Sequence, residues 1–169
     1  HPLPAKVSVV GTYANPMSDA ERRSGGSYDI QAGEGYLFTD MAPDQANGEI
    51  GGQRQYLEAV AYTDTAGRVT FAVRPGSYTL RFSRGFEYDA PSVSVDVKVG
   101  DVAKAAAVLT RVVDTTGWVS MDAHLHGVDS IDSSEEVPDR LLSIAGEGVE
   151  VAIATDHNFI TDYGPQVLR

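Results

Sequence analysis

An antiparallel β-sandwich followed by a smaller α/β unit is the fold class this sequence predicts, and three observations predict it. Up to about residue 113, seven short segments alternate apolar and polar side chains and favour Val, Thr, Tyr and Phe, with no helical periodicity between them. Stretches rich in Gly, Pro, Asp and Thr separate several of them, as the corners of a sandwich require. Beyond residue 114 the pattern becomes strand, amphipathic helix, apolar strand, which is the order of a βαβ unit.

The first segment, "AKVSVV" at 5–10, alternates Val7 and Val9 with polar neighbours. "GYLFT" at 35–39, "LEAVAYT" at 57–63, "RVTFAV" at 68–73, "SYTLRFS" at 77–83, "SVSVDVKV" at 92–99 and "AAAVLTRVV" at 105–113 follow as strands. The stretches "TDTAGR" and "RPGS" are expected to turn the chain, with Gly67 and Gly76 offering positive φ and Pro75 preset for a corner. A hairpin about Pro75 and Gly76 would place Val69, Phe71, Val73, Tyr78, Leu80 and Phe82 in the core, beside Val7 and Val9. Residues 12–34 and 40–55 are rich in Gly, Asp, Ser and Pro and read as long loops.

The second unit begins near residues 114–117, which divides the chain into domains at 1–114 and 115–169. "WVSMDAHLH" at 118–126 reads as a strand. In "SSEEVPDRLLSIAGEG", 133–148, Ser133 and Glu136 have capping-box spacing, and Pro138 falls in the first turn. Leu141, Leu142, Ile144 and Ala145 supply a buried face, and Gly146 or Gly148 stops the helix. "VEVAIAT" at 149–155 is apolar enough for a parallel strand covered on both faces.

Thirteen Lys and Arg against 24 Asp and Glu give a formal net charge of −11, a field that repels nucleic-acid backbones and anionic lipid surfaces. No cysteine is present, which excludes disulfides and thiolate chemistry. No apolar run reaches the ~20 residues needed for a membrane span. The opening "HPLPAKVSVV" lacks the basic and apolar regions of a signal peptide, and without an initiator Met the chain is expected to be a segment of a longer polypeptide.

Chemistry concentrates in the second unit, which holds three of the four histidines. On a strand, His124 and His126 project to one side with Asp122, while Leu125 points to the other. "ATDHN" places Asp156 and His157 at the carboxyl end of the second strand, where parallel α/β folds gather their functional groups. Imidazoles converging in this way suit a divalent zinc, iron, manganese or nickel ion. Asp129, Asp132, Glu135 and Glu136 alone read as carboxylates of a loop and of a solvated helix start. Ser120 and Ser130 are set aside as nucleophiles, because no base stands at a suitable spacing.

The stretches "LRFSRGFEYD", "TTGWVSMDAHLHG" and "EGVEVAIATDHNFITDYGP", with the acid at Asp132, resemble the PHP-domain metal-dependent hydrolases of the CehA/McbA type. The resemblance covers most of 68–165. It implies a prealbumin- or carboxypeptidase-regulatory-like β-sandwich followed by the opening βαβ unit of a PHP-type distorted βα barrel, truncated here. It further implies His124, His126, Asp132 and His157 as metal ligands, Asp122 and Asp156 as orienting neighbours or further ligands, and Zn, Mn or Fe as the ion. Asp132 stands where other members of the family carry His. The implied activity is attack of metal-activated water on a phosphoester, carbamate or other small-molecule ester.

Members draw further ligands from later strands, so this chain alone is expected to be a poor hydrolase. The remainder of the barrel, or a second copy, is expected to complete it. An extracytoplasmic location follows from the same resemblance. The competing reading is a non-catalytic binding module, in which the sandwich recognises a partner and the βαβ remnant is structural.

Overall fold

A computed structural model describes residues 2–12, 49–50 and 53–167 of the chain. Five strands, β1 (Lys6–Thr12), β2 (Glu49–Ile50), β3 (Gln53–Tyr62), β4 (Gly76–Ser83) and β5 (Ser92–Val97), form one antiparallel sheet in the order β2-β3-β1-β4-β5. β1 lies at the centre, paired with β3 on one edge and β4 on the other, in registers that set Val7 opposite Ala61 and Phe82. Its apolar residues suit that place, and Val7, Val9 and Val10 are buried with Ala5 and Tyr78 as the core. A bulge between Val9 and Val10 shifts the register against β3. The Tyr78 hydroxyl, carried inward by its ring, donates to the Arg74 carbonyl at 2.8 Å.

Thr63 ties the entering chain to this sheet. Its hydroxyl accepts from Ala5 N at 2.9 Å and donates to Leu3 O at 3.2 Å, and Thr63 N donates to Ala5 O at 2.9 Å. The turn after it forms as expected: Gly67 has φ 70° and donates to the Asp64 carbonyl, while the Asp64 carboxylate accepts from Ala66 N and Arg68 N. Gly76 departs from expectation, since it is not among the positive-φ residues and opens β4 instead. A Cβ there would meet the Tyr78 hydroxyl at 3.2 Å.

Two expected strands join no ladder. Residues 68–73 belong to no strand, and 105–113 contribute only an isolated bridge from Arg111 to Tyr88, with Asp89 N donating to Thr110 O and Val112 N to Glu87 O. The physical reason is an edge already taken, because β4 spends its two edges on β1 and β5 and leaves none for a hairpin across Pro75. Val69 and Phe71 therefore stand exposed instead of in the core, and Val108 is 83% exposed. Val73, Leu80 and Phe82 are half-buried. The described residues up to 113 thus form one antiparallel layer. The expected strand at 35–39, the expected loop at 12–34 apart from Thr12, which ends β1, and most of 40–55 lie outside the described residues, while β2 and the start of β3 show strand inside that second expected loop.

The backbone leaves this sheet through a turn in which the Asp114 carboxylate accepts from Thr116 N and Thr116 Oγ1, and Gly117 adopts φ 86°. Next come β6 (Met121–Leu125), α1 (Val137–Gly146) and β7 (Val151–Ala154), with β6 and β7 parallel and joined through the helix. A short α2 (Gly164–Val167) follows. The described fold is therefore mostly strand, in one antiparallel and one parallel sheet, with few helices. No helix is long and apolar enough to cross a membrane among the described residues.

α1 starts at Glu136 with Pro138 in the first turn, yet no side chain caps it. The expected capping box is not made, because Ser133 Oγ donates to His126 O and accepts from Glu135 N. The end is a Schellman motif. Gly148 at φ 71° donates to Ala145 O, and Val149 N reaches Ile144 O at 3.1 Å. Ser143 and Gly146 form the buried part of the helix, and Leu141, Leu142, Ile144 and Ala145 are half-buried. β7 is not covered on both faces as its composition suggests: Val151 and Ile153 are 41% and 46% exposed, because among the described residues β7 pairs with β6 alone.

The two sheets meet at the carboxyl end of α1. Tyr62 lays its ring against Gly146 and donates to Glu147 Oε1 at 3.0 Å, and Lys6 Nζ pairs with the same carboxylate oxygen at 2.8 Å. Arg84 donates to Pro4 O and to the helix carbonyl of Ala145, a favourable place for a cation. A Cβ on Gly146 would lie 2.4 Å from Tyr62 Cδ1. Gly146→Ala is therefore expected to destabilise the protein: overpacking costs about 1–3 kcal/mol, which outweighs the gain of roughly 0.8–1 kcal/mol in helix propensity. Urea unfolding checks this, and an unchanged or raised midpoint would contradict the contact.

Candidate metal centre

The carboxyl ends of β6 and β7 are held side by side by one carbonyl. Leu125 O accepts from Thr155 N at 2.8 Å and from Thr155 Oγ1 at 3.2 Å. His126 and Asp156 are the next residues along each chain, so the pairing brings together two motifs thirty positions apart. Past His126 the backbone turns tightly, with Ser130 N donating to Gly127 O and Ser133 N to Ser130 O. That double turn folds Asp132 back over the His126 ring. After His157, Asn158 adopts φ 57°, a conformation that Asn tolerates better than most residues.

His126, Asp132 and His157 each present a ligand atom, and these atoms lie within 4.8 Å of one another. His126 Nδ1 is 2.9 Å from Asp132 Oδ1 and 3.0 Å from Oδ2, and His157 Nε2 is 3.3 Å from Oδ2. The His126 and His157 rings meet edge to face with centroids 4.9 Å apart. Donor atoms bound at about 2.0–2.1 Å around a tetrahedral ion stand roughly 3.3 Å from each other, and the distances from Asp132 to the two imidazoles, 2.9 and 3.3 Å, lie near that spacing. The donor set of imidazole nitrogen and carboxylate oxygen suits Zn, Mn or Fe without selecting among them.

His124 stands on the other side of the central ring. Its Nε2 is 3.0 Å from His126 Nε2, and the side chain is exposed. With neutral rings, one tautomer satisfies both contacts of His126: Nδ1–H donates to the Asp132 carboxylate and Nε2 accepts from His124. His126 therefore stands between two sets of donors.

Asp122 behaves differently from its expected place beside the histidines. The register of β6 against β7 shifts between Asp122 and Leu125, which breaks the simple alternation of faces. Its carboxylate accepts from His124 N at 3.0 Å, and the side chain borders a groove with Leu142 and Ser143 of α1. Asp156 is buried, and both its oxygens are committed, Oδ1 to Gly127 N at 2.6 Å and Oδ2 to the Thr161 hydroxyl. Those two bonds, with the Thr161 bond first, hold its carboxyl below the usual range. Asp156 thus staples the turn after His126 to the end of β7.

Ser130 is the residue that sequence reasoning passed over. It is buried, its hydroxyl donates to Asp132 Oδ1 at 2.6 Å, and its Oγ accepts from His157 N at 3.1 Å. The signal lay in "DSID", where Ser and Asp two apart favour a side-chain bond within a turn. Tyr163 was missed as well. Its hydroxyl packs against Gly127, where a Cβ would come within 3.2 Å, has no hydrogen-bond partner among the described residues, and is pushed up in pKa by burial.

The chain was compared with protein families, with characterised proteins and with solved structures, and none matches. The reading of the site rests on its residues.

The hydrogen bond from Ser130, reinforced by His126, lowers the Asp132 carboxyl to about 2, against roughly 3.9 for an ordinary aspartate. A carboxylate depressed in the folded state adds stability that is present above its unfolded value and lost as pH falls through its folded one. The bonds to Asp132 should therefore weaken as the pH drops below ~4 and be gone below about 2. In metal-free protein, ¹³C NMR of the aspartate carboxyls is expected to show one resonance titrating near that lower limit and missing from Asp132→Asn. A midpoint at or above the ordinary value would contradict the geometry.

Proposed function

We propose that this chain is the amino-terminal part of a PHP-type metal-dependent hydrolase acting on a phosphoester, a carbamate or another small-molecule ester. The observation that carries the proposal is the convergence of His126, Asp132 and His157, with His124 adjoining, at the carboxyl ends of two parallel strands joined through a helix. Such an end is where α/β folds build their sites, because loops there are free to vary over a rigid support. The motifs resembling that family fall on these same positions.

In this reading His126, Asp132 and His157 hold a divalent ion. The ion supplies Lewis acidity and a water acidic enough to act as a nucleophile near neutral pH. The chain's own contribution is orientation. Ser130 keeps Asp132 ionised and aimed at His126 and His157, and Asp156 holds the Gly127 turn that follows His126. His157 and Asp132 are each about half exposed, which leaves the site open to a small substrate.

Completion by further strands is part of the proposal. The exposed Val151 and Ile153 on β7 support it, because apolar strand residues of this kind are normally covered. An ester hydrolysed between two ions needs both clamped a few Å apart, and the three gathered side chains hold one. The expected partner is the remainder of the barrel or a second copy. The antiparallel layer, with its unpaired apolar segments, is proposed to be part of a sandwich.

His126→Ala is expected to abolish stoichiometric zinc or manganese in the purified chain, read by elemental analysis after dialysis, while the β-type circular dichroism is retained. Hydrolysis of bis-nitrophenyl phosphate and of an aryl carbamate should be slight for residues 1–169. A longer polypeptide carrying the rest of the barrel should be active and should lose that activity to a chelator. A chain that retains no ion under any loading condition would remove the hydrolase reading.

A further inference from the structure

We propose that Ser130 is the positioning residue of this centre, setting two of its ligands, Asp132 and His157, in one geometry through a single hydroxyl. The inference rests on the metal reading above and deepens it.

A serine hydroxyl has one proton to give and lone pairs to receive. Ser130 uses both kinds at once, donating to Asp132 Oδ1 at 2.6 Å and accepting from His157 N at 3.1 Å. The two recipients belong to different segments: Asp132 closes the turn that follows β6, whereas His157 follows β7. No other single side chain type of this size fills both roles, since Ala offers neither and Cys donates weakly.

The bond selects the carboxylate's orientation. With Oδ1 held by Ser130 and facing His126 Nδ1 at 2.9 Å, Oδ2 is left toward His157 Nε2 at 3.3 Å. Asp132 is about half exposed, so neighbouring side chains do not confine it by packing. Ser130 is itself fixed. It is 4% exposed, and its backbone is pinned by Ser130 N to Gly127 O and by Ser133 N to Ser130 O.

The same burial disposes of the rival role. A nucleophilic serine needs an exposed oxygen and a base to take its proton. The Ser130 hydroxyl is enclosed, and its proton points to a carboxylate that also faces two histidines. Partners of this kind behind metal ligands typically account for 10–100-fold in affinity.

The test uses the 169-residue chain and its Ser130→Ala, Ser130→Thr and Ser143→Ala variants. Ser143 is another buried serine, on α1, whose hydroxyl donates to Arg140 O. Zinc affinity is measured by competition with a chromophoric chelator, the ligand field by the visible absorption of bound cobalt, and folding by thermal melting. Ser130→Ala is expected to bind zinc about 10–100-fold more weakly with an altered cobalt spectrum. Ser130→Thr, which keeps the hydroxyl, should recover most of the affinity and the wild-type spectrum, and Ser143→Ala should match wild type.

If the Ala variant fails to fold, Ser130→Cys carries the same comparison. Wild-type affinity and spectrum in Ser130→Ala would overturn the proposal while leaving the metal reading intact. Equal weakening in Ala and Thr variants would overturn it in favour of a packing role. Absence of zinc and cobalt binding in the wild type would remove the metal reading itself.

Discussion

The parallel pairing of β6 with β7 is the constraint on which the rest of the site depends. Leu125 O receives both the N–H and the hydroxyl of Thr155, so the two strands end level with each other. Once they end level, His126 and Asp156 emerge as neighbours, and everything beyond them is a matter of short turns. A slip of one residue would turn every side chain of β7 to the other face and separate the two motifs. The Asp156 carboxylate guards against such a slip, since its bond to Gly127 N, across the two strand ends, exists in one register only.

What anchors this pair to the rest of the molecule is the carboxyl end of α1. Glu147 gathers the Tyr62 hydroxyl and the Lys6 ammonium, and Arg84 caps the Ala145 carbonyl from the far side. Partly exposed ion pairs of this sort contribute roughly 0–1 kcal/mol each, so their weight lies in orientation more than in stability. Close approach does the remainder. Gly146 admits the Tyr62 ring, and Gly85 at φ 56° comes so near that a Cβ would sit 2.7 Å from the Glu147 carbonyl oxygen. The helix that connects β6 to β7 is thus seated on β3 and on the residues that follow β4.

How far the sequence could be read depended on whether the deciding interaction was local. The alternation in 5–10, 77–83 and 92–97 specifies strand locally and corresponds to β1, β4 and β5. Gly67 and Gly148 occupy positions that require positive φ, and both were legible as turn or stop. Residues 68–73 carry the same alternation as β4 and yet stay unpaired, because pairing is settled by which edges are free. In the site, His126, Asp132 and His157 were legible, the first and third from strand ends and the second only through the family resemblance. The register shift between Asp122 and Leu125 leaves no mark in the pattern of residue types. Ser130 was only half readable as a partner, since its bond to Asp132 is local whereas the one it accepts from His157 N depends on β7 lying alongside.

The division of labour between side chains follows from their exposure. The histidines and Asp132 stand at or near the surface, where rotamer freedom is large and freezing a side chain costs on the order of 1 kcal/mol. Ser130 and Asp156 are buried and bear that ordering through hydrogen bonds made when the chain folds. A carboxylate already aimed at two imidazoles loses little freedom on meeting a cation. Orientation established in the turn after β6 therefore reaches the open face of the site by way of Ser130 and Asp156, buried groups that do not stand on that face.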